Sequence, residues 1–298
     1  MNSLALPPDF DTRVLRNELM SRHTSWHVGG PADLFFTPLD VADLAAFLRS
    51  LEPSTPILWI GLGSNLLVRD GGVRGAVIDT HGVFAELERL NDNEVWSGSG
   101  VACAKLAKQC IKWGLGPAEF FAGIPGTLGG ALAMNAGAFG GETWNHVISV
   151  ATLDRSGVRR ERSAADYRVS YRHVEGPEGE WFLGARLRFE QRPEVSNDDI
   201  RLLLARRKAT QPIGEWSCGS VFTNPPGNHA AKLIDTAGLK GFRIGGARVS
   251  EMHANFIVND GHATAADIEQ LIAQVRDTVE KVHGVRLNPE VRVVGERK

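Results

Sequence analysis

Between Phe120 and Gly141 the chain reads FFAGIPGTLGGALAMNAGAFGG, without one charged side chain and with seven glycines. No other stretch restricts the possible folds as much. It is long enough to span a bilayer, but its glycines, proline and asparagine replace the Leu/Ile/Val density that insertion favours. A buried, glycine-rich loop and helix is therefore expected here, with the helix over 127–135. Buried backbone without Cβ atoms serves tight turns and close approach to a ligand. Glycine is in excess along the whole chain, at 33 of 298 residues against a usual share of roughly 7%.

Composition narrows the classes. Lys and Arg total 33 against 35 Asp and Glu, a net charge of -2. No basic excess exists to neutralise a phosphate polymer, so nucleic acid is not an expected partner. A 43% hydrophobic and 23% charged chain of 298 residues suits one large or two ordinary soluble domains. Three cysteines, Cys103, Cys110 and Cys218, are too few and of the wrong parity for a disulfide framework and point to the cytosol. The opening MNSLALPPDFDTR has no basic stretch followed by an apolar one, so no signal peptide is expected. Nine histidines are scattered without HExxH or CxxC, and no metal site is expected.

Periodicity predicts helices over 41–51 with Asp40 as N-cap, 102–113, 198–210, 229–237 and, most clearly, 264–282. In the last, Ile268, Leu271, Ile272, Val275, Val279 and Val282 share a face, and Thr264 with Asp267 has capping-box spacing. Strands are predicted over 56–60, 75–79, 94–101, 181–190, 255–258 and 291–294, with a hairpin of 147–153 and 158–162. The fold class is α+β. The polar, proline-containing stretch 191–197 is the best boundary. It separates a front region, 1–192, with subdomains of about 1–80 and 81–192, from a compact tail, 193–298.

Three glycine loops suggest a ligand. In WIGLGSNLLV (59–68), Gly61 and Gly63 let N–H groups reach an anion, and Ser64 and Asn65 add donors. This is not GxGxxG before a long helix, so a Rossmann site is a poor reading. GIPGTLGG (123–130) opens a helix-like segment whose N-terminus favours phosphate, and SGSG (97–100) is the third. One loop alone reads as a tight turn; together they point to a dinucleotide.

Polar residues in five places are open to a bland or a functional reading. Arg155, Arg159, Arg160 and Arg162 read as a solvated hairpin. In DYRVSYR (166–172), Arg168 and Arg172 alternate with the only two tyrosines; a guanidinium packed on aromatics is preorganised to grip a carboxylate. Lys208, in an Arg-Arg-Lys run ending a helix, is either favourable charge at that terminus or a phosphate contact. Glu290, after Asn288-Pro289, is either solvated or functional. In SCGSVFTNP (217–225) the Ser220 hydroxyl lies among apolar residues, as turn chemistry or as a placed proton donor. Cys218 has no base assignable from spacing.

These pieces stand in a recognisable order: TSWHVGGPADL (24–34), GLGSNLLV, AGIPGTLGGALAMNAGAFGGE, DYRVSYR, SCGSVFTNP, the run from Ala230 to Asn259, and LNPEVRVVG. Over nearly its whole length the chain resembles the UDP-N-acetylenolpyruvoylglucosamine reductase (MurB) family, flavoenzymes of bacterial peptidoglycan synthesis. The resemblance implies a two-part, non-covalent FAD-binding region of the vanillyl-alcohol-oxidase (PCMH) type and a C-terminal α+β domain for the nucleotide sugar. FAD contacts would fall on Gly61, Leu62, Gly63, Ser64, Asn65 and Leu66. Others would come from Gly123, Ile124, Pro125, Gly126, Gly129 and Gly130, with Asn135 and Gly137 beyond. Tyr167, Lys208 and Asn224 would bind substrate.

The resemblance further implies NADPH as hydride donor and hydride transfer from flavin N5 to the vinyl carbon of UDP-N-acetylglucosamine enolpyruvate. Ser220 would supply the proton, and Arg168 and Glu290 would stabilise the enolate. A cytoplasmic enzyme with small-molecule partners is implied, with no membrane or required protein partner. The short span after Arg172, and the lack of a tyrosine beyond Tyr171, match the shorter subtype without a tyrosine lid. Thr223 stands where many relatives carry lysine. Two alternatives are weighed. A flavin oxidase of the same fold often tethers its flavin through a His or Cys near the phosphate loop, and 61–68 has neither. A non-catalytic nucleotide-sugar binder has no need of Arg168, Ser220 and Glu290 together.

Overall fold

The computed structural model describes residues 6–298; the first five residues of the stretch read for a signal peptide lie outside them. The chain forms two compact units that interleave in sequence. The first holds residues through Arg16, Leu34–Leu62 and Gly75–Ala205; the second holds Asn17–Asp33, Gly63–Arg74 and Arg206–Lys298. The α+β class holds in both.

In the first unit an antiparallel sheet runs in the order Arg159–Ser163, Val147–Asp154, Glu180–Arg188, Glu94–Gly98, Leu87–Arg89. The predicted hairpin is its edge, with Leu153 opposite Arg159. Helix Cys103–Lys112 buries Cys103, Leu106, Ala107, Cys110 and Ile111, the i, i+3, i+4, i+7 stripe of a helix with one covered face. It packs with Phe120, Phe121, Leu128, Ala131 and Leu132 in one apolar cluster. The charge-free run thus supplies core from its apolar positions, while Pro125, Gly130, Ala133, Phe139 and Gly140 are exposed. It makes a 3-10 turn, Glu119–Gly123, and helix Leu128–Met134, which Asn135 ends in the left-handed conformation (φ 48). No helix among the described residues is long and apolar enough to cross a membrane. A second cluster packs Leu44, Phe47 and Leu48 of helix Val41–Ser50, capped by Asp40 through the Asp43 N–H as expected, with Phe10 and Phe36. Phe36 and Phe47 stack at 4.0 Å.

Glu94 is the buried charge of this sheet. Its carboxylate accepts from Arg188 Nη2 at 2.7 Å, Arg186 Nε at 2.9 Å and Asn91 Nδ2 at 3.0 Å. Those hydrogen bonds, Arg188's first, pull it from an ordinary 4.5 down to about 2. A group with a depressed folded value stabilises the fold above its unfolded value and loses that contribution as pH falls toward the folded one. The thermal midpoint is therefore expected to hold above pH 5 and to fall between about pH 4.5 and 2. Glu94→Gln should lower the midpoint at neutral pH and flatten that acid limb. Parallel acid limbs for the two proteins in a pH series of melts would refute the assignment.

In the second unit helix Ala265–His283 has the predicted capping box of Thr264 and Asp267 and ends at Gly284 (φ 67). Its buried face carries Ile268, Leu271, Ile272, Val275 and Val279. Val282, expected on that face, is instead 54% exposed, because the last turn runs past the surface it covers. Helix Ala230–Thr236 and the sheet Arg243–Ile244, Ala247–Val249, Ile257–Asn259 complete the core.

Two stretches from the front of the sequence finish this unit. Strand Leu66–Val68 pairs in parallel with Arg292–Val294. Buried Trp26 donates its indole N–H to the Ile257 carbonyl at 2.7 Å, and Asn259 Nδ2 donates to the Trp26 carbonyl at 2.7 Å. Asp70 accepts the Ala265 and Ala266 N–H groups, each at 3.0 Å, as a second cap on the long helix. Arg69 grips Glu269 through Nε and Nη2, both at 2.9 Å.

Candidate active site

In the first unit the three glycine-rich stretches meet. Gly129 donates to the Ser99 carbonyl at 2.8 Å, Leu128 to that of Val101 and Cys103 to that of Gly126, both at 2.9 Å. A Cβ on Gly61 would stand 2.5 Å from Thr127 Oγ1, so only glycine allows this approach. The Ser99 and Thr127 hydroxyl oxygens are buried and have no hydrogen-bond partner. Such an orphaned group costs about 1–3 kcal/mol, which an oxygen-rich ligand would offset. The donor set fits a phosphate-bearing cofactor, and neither hydroxyl was singled out from sequence.

Of the implied cofactor contacts beyond, Pro125 and Gly130 are exposed and Gly126 partly so. Gly123 and Ile124 are buried, so their side of the loop belongs to the core. Asn135 is a brace. Its Oδ1 accepts from the Trp144 N–H at 3.1 Å and its Nδ2 donates to Glu142 at 3.0 Å and to the Ser170 carbonyl at 3.1 Å. With its side chain so committed, a ligand contact there falls to the main chain. Gly137 offers its carbonyl to Arg172.

The other half of GLGSN belongs to the second unit. Gly63 has φ +66, and a Cβ would come within 1.9 Å of the His23 carbonyl oxygen. Among the described residues, no carbonyl takes the N–H groups of Leu62, Gly63 and Ser64, which suits an anion cradle. Leu66 is buried in its strand. Asn65 Nδ2 donates to the Glu290 carbonyl at 3.0 Å.

Arg168 opens a small hairpin of Arg168–Ser170 and His173–Glu175 in the first unit. Its side chain is 83% exposed and paired with Glu175, at 2.6 Å through Nη2 and 3.2 Å through Nε. The aromatic packing expected of the two arginines falls to Arg172, whose guanidinium lies 5.0 Å from the Tyr171 ring centroid. Arg172 takes a left-handed φ of 56 and donates to the Asn135 and Gly137 carbonyls at 3.2 and 2.8 Å. Arg168 is oriented by a carboxylate instead, because its strand turns it outward. Tyr167 anchors the hairpin against Trp144 (4.7 Å) and Phe182 (5.8 Å). Burial pushes its phenol up to about 12, so it remains a donor.

The segments that carry Ser220 and Glu290 run together in the second unit, with Val221 opposite Glu290. Gly219 (φ +74) makes the turn before Ser220, and Val221 and Phe222, next in the chain, are packed into the core. The Glu290 N–H donates to the Val221 carbonyl at 2.8 Å, Phe222 bridges Pro289, and Thr223 donates to the Asn288 carbonyl at 3.0 Å. On the other flank Asn255 holds the segment. Its carbonyl takes the Val221 N–H at 2.8 Å, its Oδ1 the Phe222 N–H at 3.0 Å, and its Nδ2 donates to the Phe222 carbonyl at 2.8 Å. Asn255 is missed by a reading of its apolar run, although a polar residue inside ANFIV is the available signal. Ser220 and Glu290 are both part-exposed. Asn224 is exposed and its Oδ1 accepts from the Ala230 N–H at 3.0 Å, leaving the Nδ2 end for a ligand. Lys208 is exposed on helix Asn197–Thr210.

Burial pushes the thiols of Cys103, Cys110 and Cys218 up to about 12, which makes them poor nucleophiles. Among the described residues no group of three His, Cys, Asp or Glu could hold a metal ion.

Residues 211–294 match the family model for the UDP-N-acetylenolpyruvoylglucosamine reductase C-terminal domain, and residues 32–161 match an FAD binding domain. A UDP-N-acetylenolpyruvoylglucosamine reductase from Alkalilimnicola ehrlichii is 60% identical over 94% of this chain and 94% of its own. One from Methylococcus capsulatus is 55% identical over 95% and 93%. The crystal structure of the Thermus caldophilus UDP-N-acetylenolpyruvylglucosamine reductase superposes with a TM-score of 0.80 at 34% identity, covering 94% of this chain and 98% of that one.

Proposed function

The chain belongs to the UDP-N-acetylenolpyruvoylglucosamine reductase family, and we propose from that premise how its own residues act. The enzyme reduces UDP-N-acetylglucosamine enolpyruvate to UDP-N-acetylmuramate, a peptidoglycan precursor, with FAD and NADPH. Bound FAD supplies the redox chemistry, relaying a hydride from NADPH to the terminal vinyl carbon.

The backbone of 61–66 and of 123–130 would hold that cofactor, with the Ser99 and Thr127 hydroxyls as extra donors. As hydride arrives, the vinyl carbon becomes a methyl group and negative charge spreads from the adjacent carbon into the substrate carboxylate. Arg168 stabilises that charge, being permanently cationic and forked. Its pair with Glu175 is exposed and screened by solvent, so the substrate carboxylate can displace it. Glu290 polarises the carboxylate from the segment that precedes strand Arg292–Val294. Ser220 then gives its hydroxyl proton to the adjacent carbon, a role that demands hydrogen-bond reach more than intrinsic acidity. Tyr167, Lys208 and Asn224 bind the sugar nucleotide, Lys208 through its diphosphate.

The observation that carries this reading is the pairing of the segment that holds Ser220 with the one that holds Glu290, through the Glu290 N–H on the Val221 carbonyl. The enzyme works in the cytoplasm on small molecules, without nucleic acid, membrane or a required protein partner. The purified protein should be yellow, should bleach with NADPH, and should regain colour anaerobically when the enolpyruvyl sugar nucleotide is added. Recolouring by oxygen alone would mark an oxidase, and colour indifferent to both reagents a binding protein.

A further inference from the structure

We infer that Asn65 is a positioning residue for Glu290, tying the glycine loop of 61–65 to the carboxylate that acts on the substrate. The inference rests on the role proposed for Glu290. The Glu290 peptide is held on both sides. Its N–H donates to the Val221 carbonyl at 2.8 Å and its carbonyl accepts from Asn65 Nδ2 at 3.0 Å. The Asn65 carbonyl in turn accepts the Arg292 N–H at 3.2 Å. Asn65 therefore grips both the residue that carries the acid and the start of the strand after it. From the next residue, Leu66–Val68 runs in register with Arg292–Val294.

A polar side chain in a glycine loop is normally solvated or turned toward its own backbone. This one is partly buried and spent on a carbonyl 225 residues away. Only an amide, or another group with an N–H at that distance, can make the contact. Alanine leaves the Glu290 carbonyl without it, and aspartate of the same size sets oxygen against oxygen. Released on that side, residue 290 keeps the Val221 bond but loses the anchor that fixes its carbonyl. Displacement of a reacting group by about 1 Å can cost 10²-fold in rate.

The test compares Asn65→Ala and Asn65→Asp with Glu290→Gln in the FAD-loaded enzyme. FAD affinity is read by fluorescence of the released flavin, and the two half-reactions by anaerobic rapid mixing across pH. Both Asn65 variants are assayed saturated with FAD, and their loss in the second half-reaction should exceed any loss in FAD affinity or in bleaching by NADPH by at least about tenfold. Recolouring by the enolpyruvyl substrate should slow by on the order of 10- to 100-fold, with its pH profile displaced as the carboxylate loses its fixed place. Loss of FAD affinity in parallel with both half-reactions would make Asn65 a cofactor ligand and overturn the inference. So would normal recolouring in both Asn65 variants beside an impaired Glu290→Gln. Normal recolouring in Glu290→Gln would instead overturn the role of Glu290 itself. If Asn65→Ala does not fold, the isosteric Asn65→Asp decides alone.

Discussion

Ser220→Ala is expected to keep its FAD and bleach with NADPH at the parent rate, yet recolour with the enolpyruvyl sugar nucleotide about 10³-fold more slowly. General acid catalysis by a placed group is typically worth 10²–10⁴-fold. The segment should not collapse on substitution. Val221 and Phe222 stay in the core, Asn255 still clamps the Phe222 peptide, and Gly219 still makes its turn. Only the proton donor goes. The prediction separates chemistry from binding because the two half-reactions are read in one cuvette. Equal slowing of both would show that Ser220 shapes the site instead of protonating the product. Glu290→Gln should slow the same half-reaction and spare the same one.

Gly61→Val should yield folded but colourless protein. The first side-chain atom would already stand 2.5 Å from Thr127 Oγ1, and a branched one adds two more atoms in the same place. Either the loop withdraws or the 123–130 segment does, and in both cases the orphaned Ser99 and Thr127 hydroxyls lose the ligand that satisfies them. FAD affinity is expected to fall by more than about 10²-fold, near 3 kcal/mol or above. The far-ultraviolet circular dichroism should be unchanged, because Ile57–Ile60 precedes the substitution and remains paired with 76–79. Retention of stoichiometric FAD would show that the convergence of these loops is not the cofactor cradle.

Much of the fold was legible because its signals are local. Helix Ala265–His283 announces itself by spacing and by Thr264 and Asp267, all within one window. The Val147–Asp154 and Arg159–Ser163 hairpin does so by its turn. The hairpin at Arg168 was not, since Arg168–Ser170 and His173–Glu175 expose most of their side chains. It is held by Tyr167 and Asn135 from outside, and such support leaves no periodicity. The residue types of the site were visible, but their neighbours were not. That Arg172 and not Arg168 rests on an aromatic ring depends on which way a strand faces. The pairing of Val221 with Glu290, and of Asn65 with Glu290 and Arg292, joins segments far apart in the chain. Neither pattern nor propensity specifies such contacts.

The interleaving of the two units has a consequence for biosynthesis. Trp26 waits for Ile257, Arg69 for Glu269 and Asn65 for Glu290, partners 231, 200 and 225 residues downstream. At ribosomal rates of roughly 5–20 residues per second, about 10–46 s pass before those partners exist. Folding from the N-terminus as the chain emerges is closed to the second unit. The buried surfaces of Trp26 and Leu66–Val68 stay unmatched through that interval, the condition in which a nascent chain is most exposed to aggregation and most dependent on chaperones. The GLGSN loop, placed next to the first of these strands, acquires its final shape only once the last strand has been made.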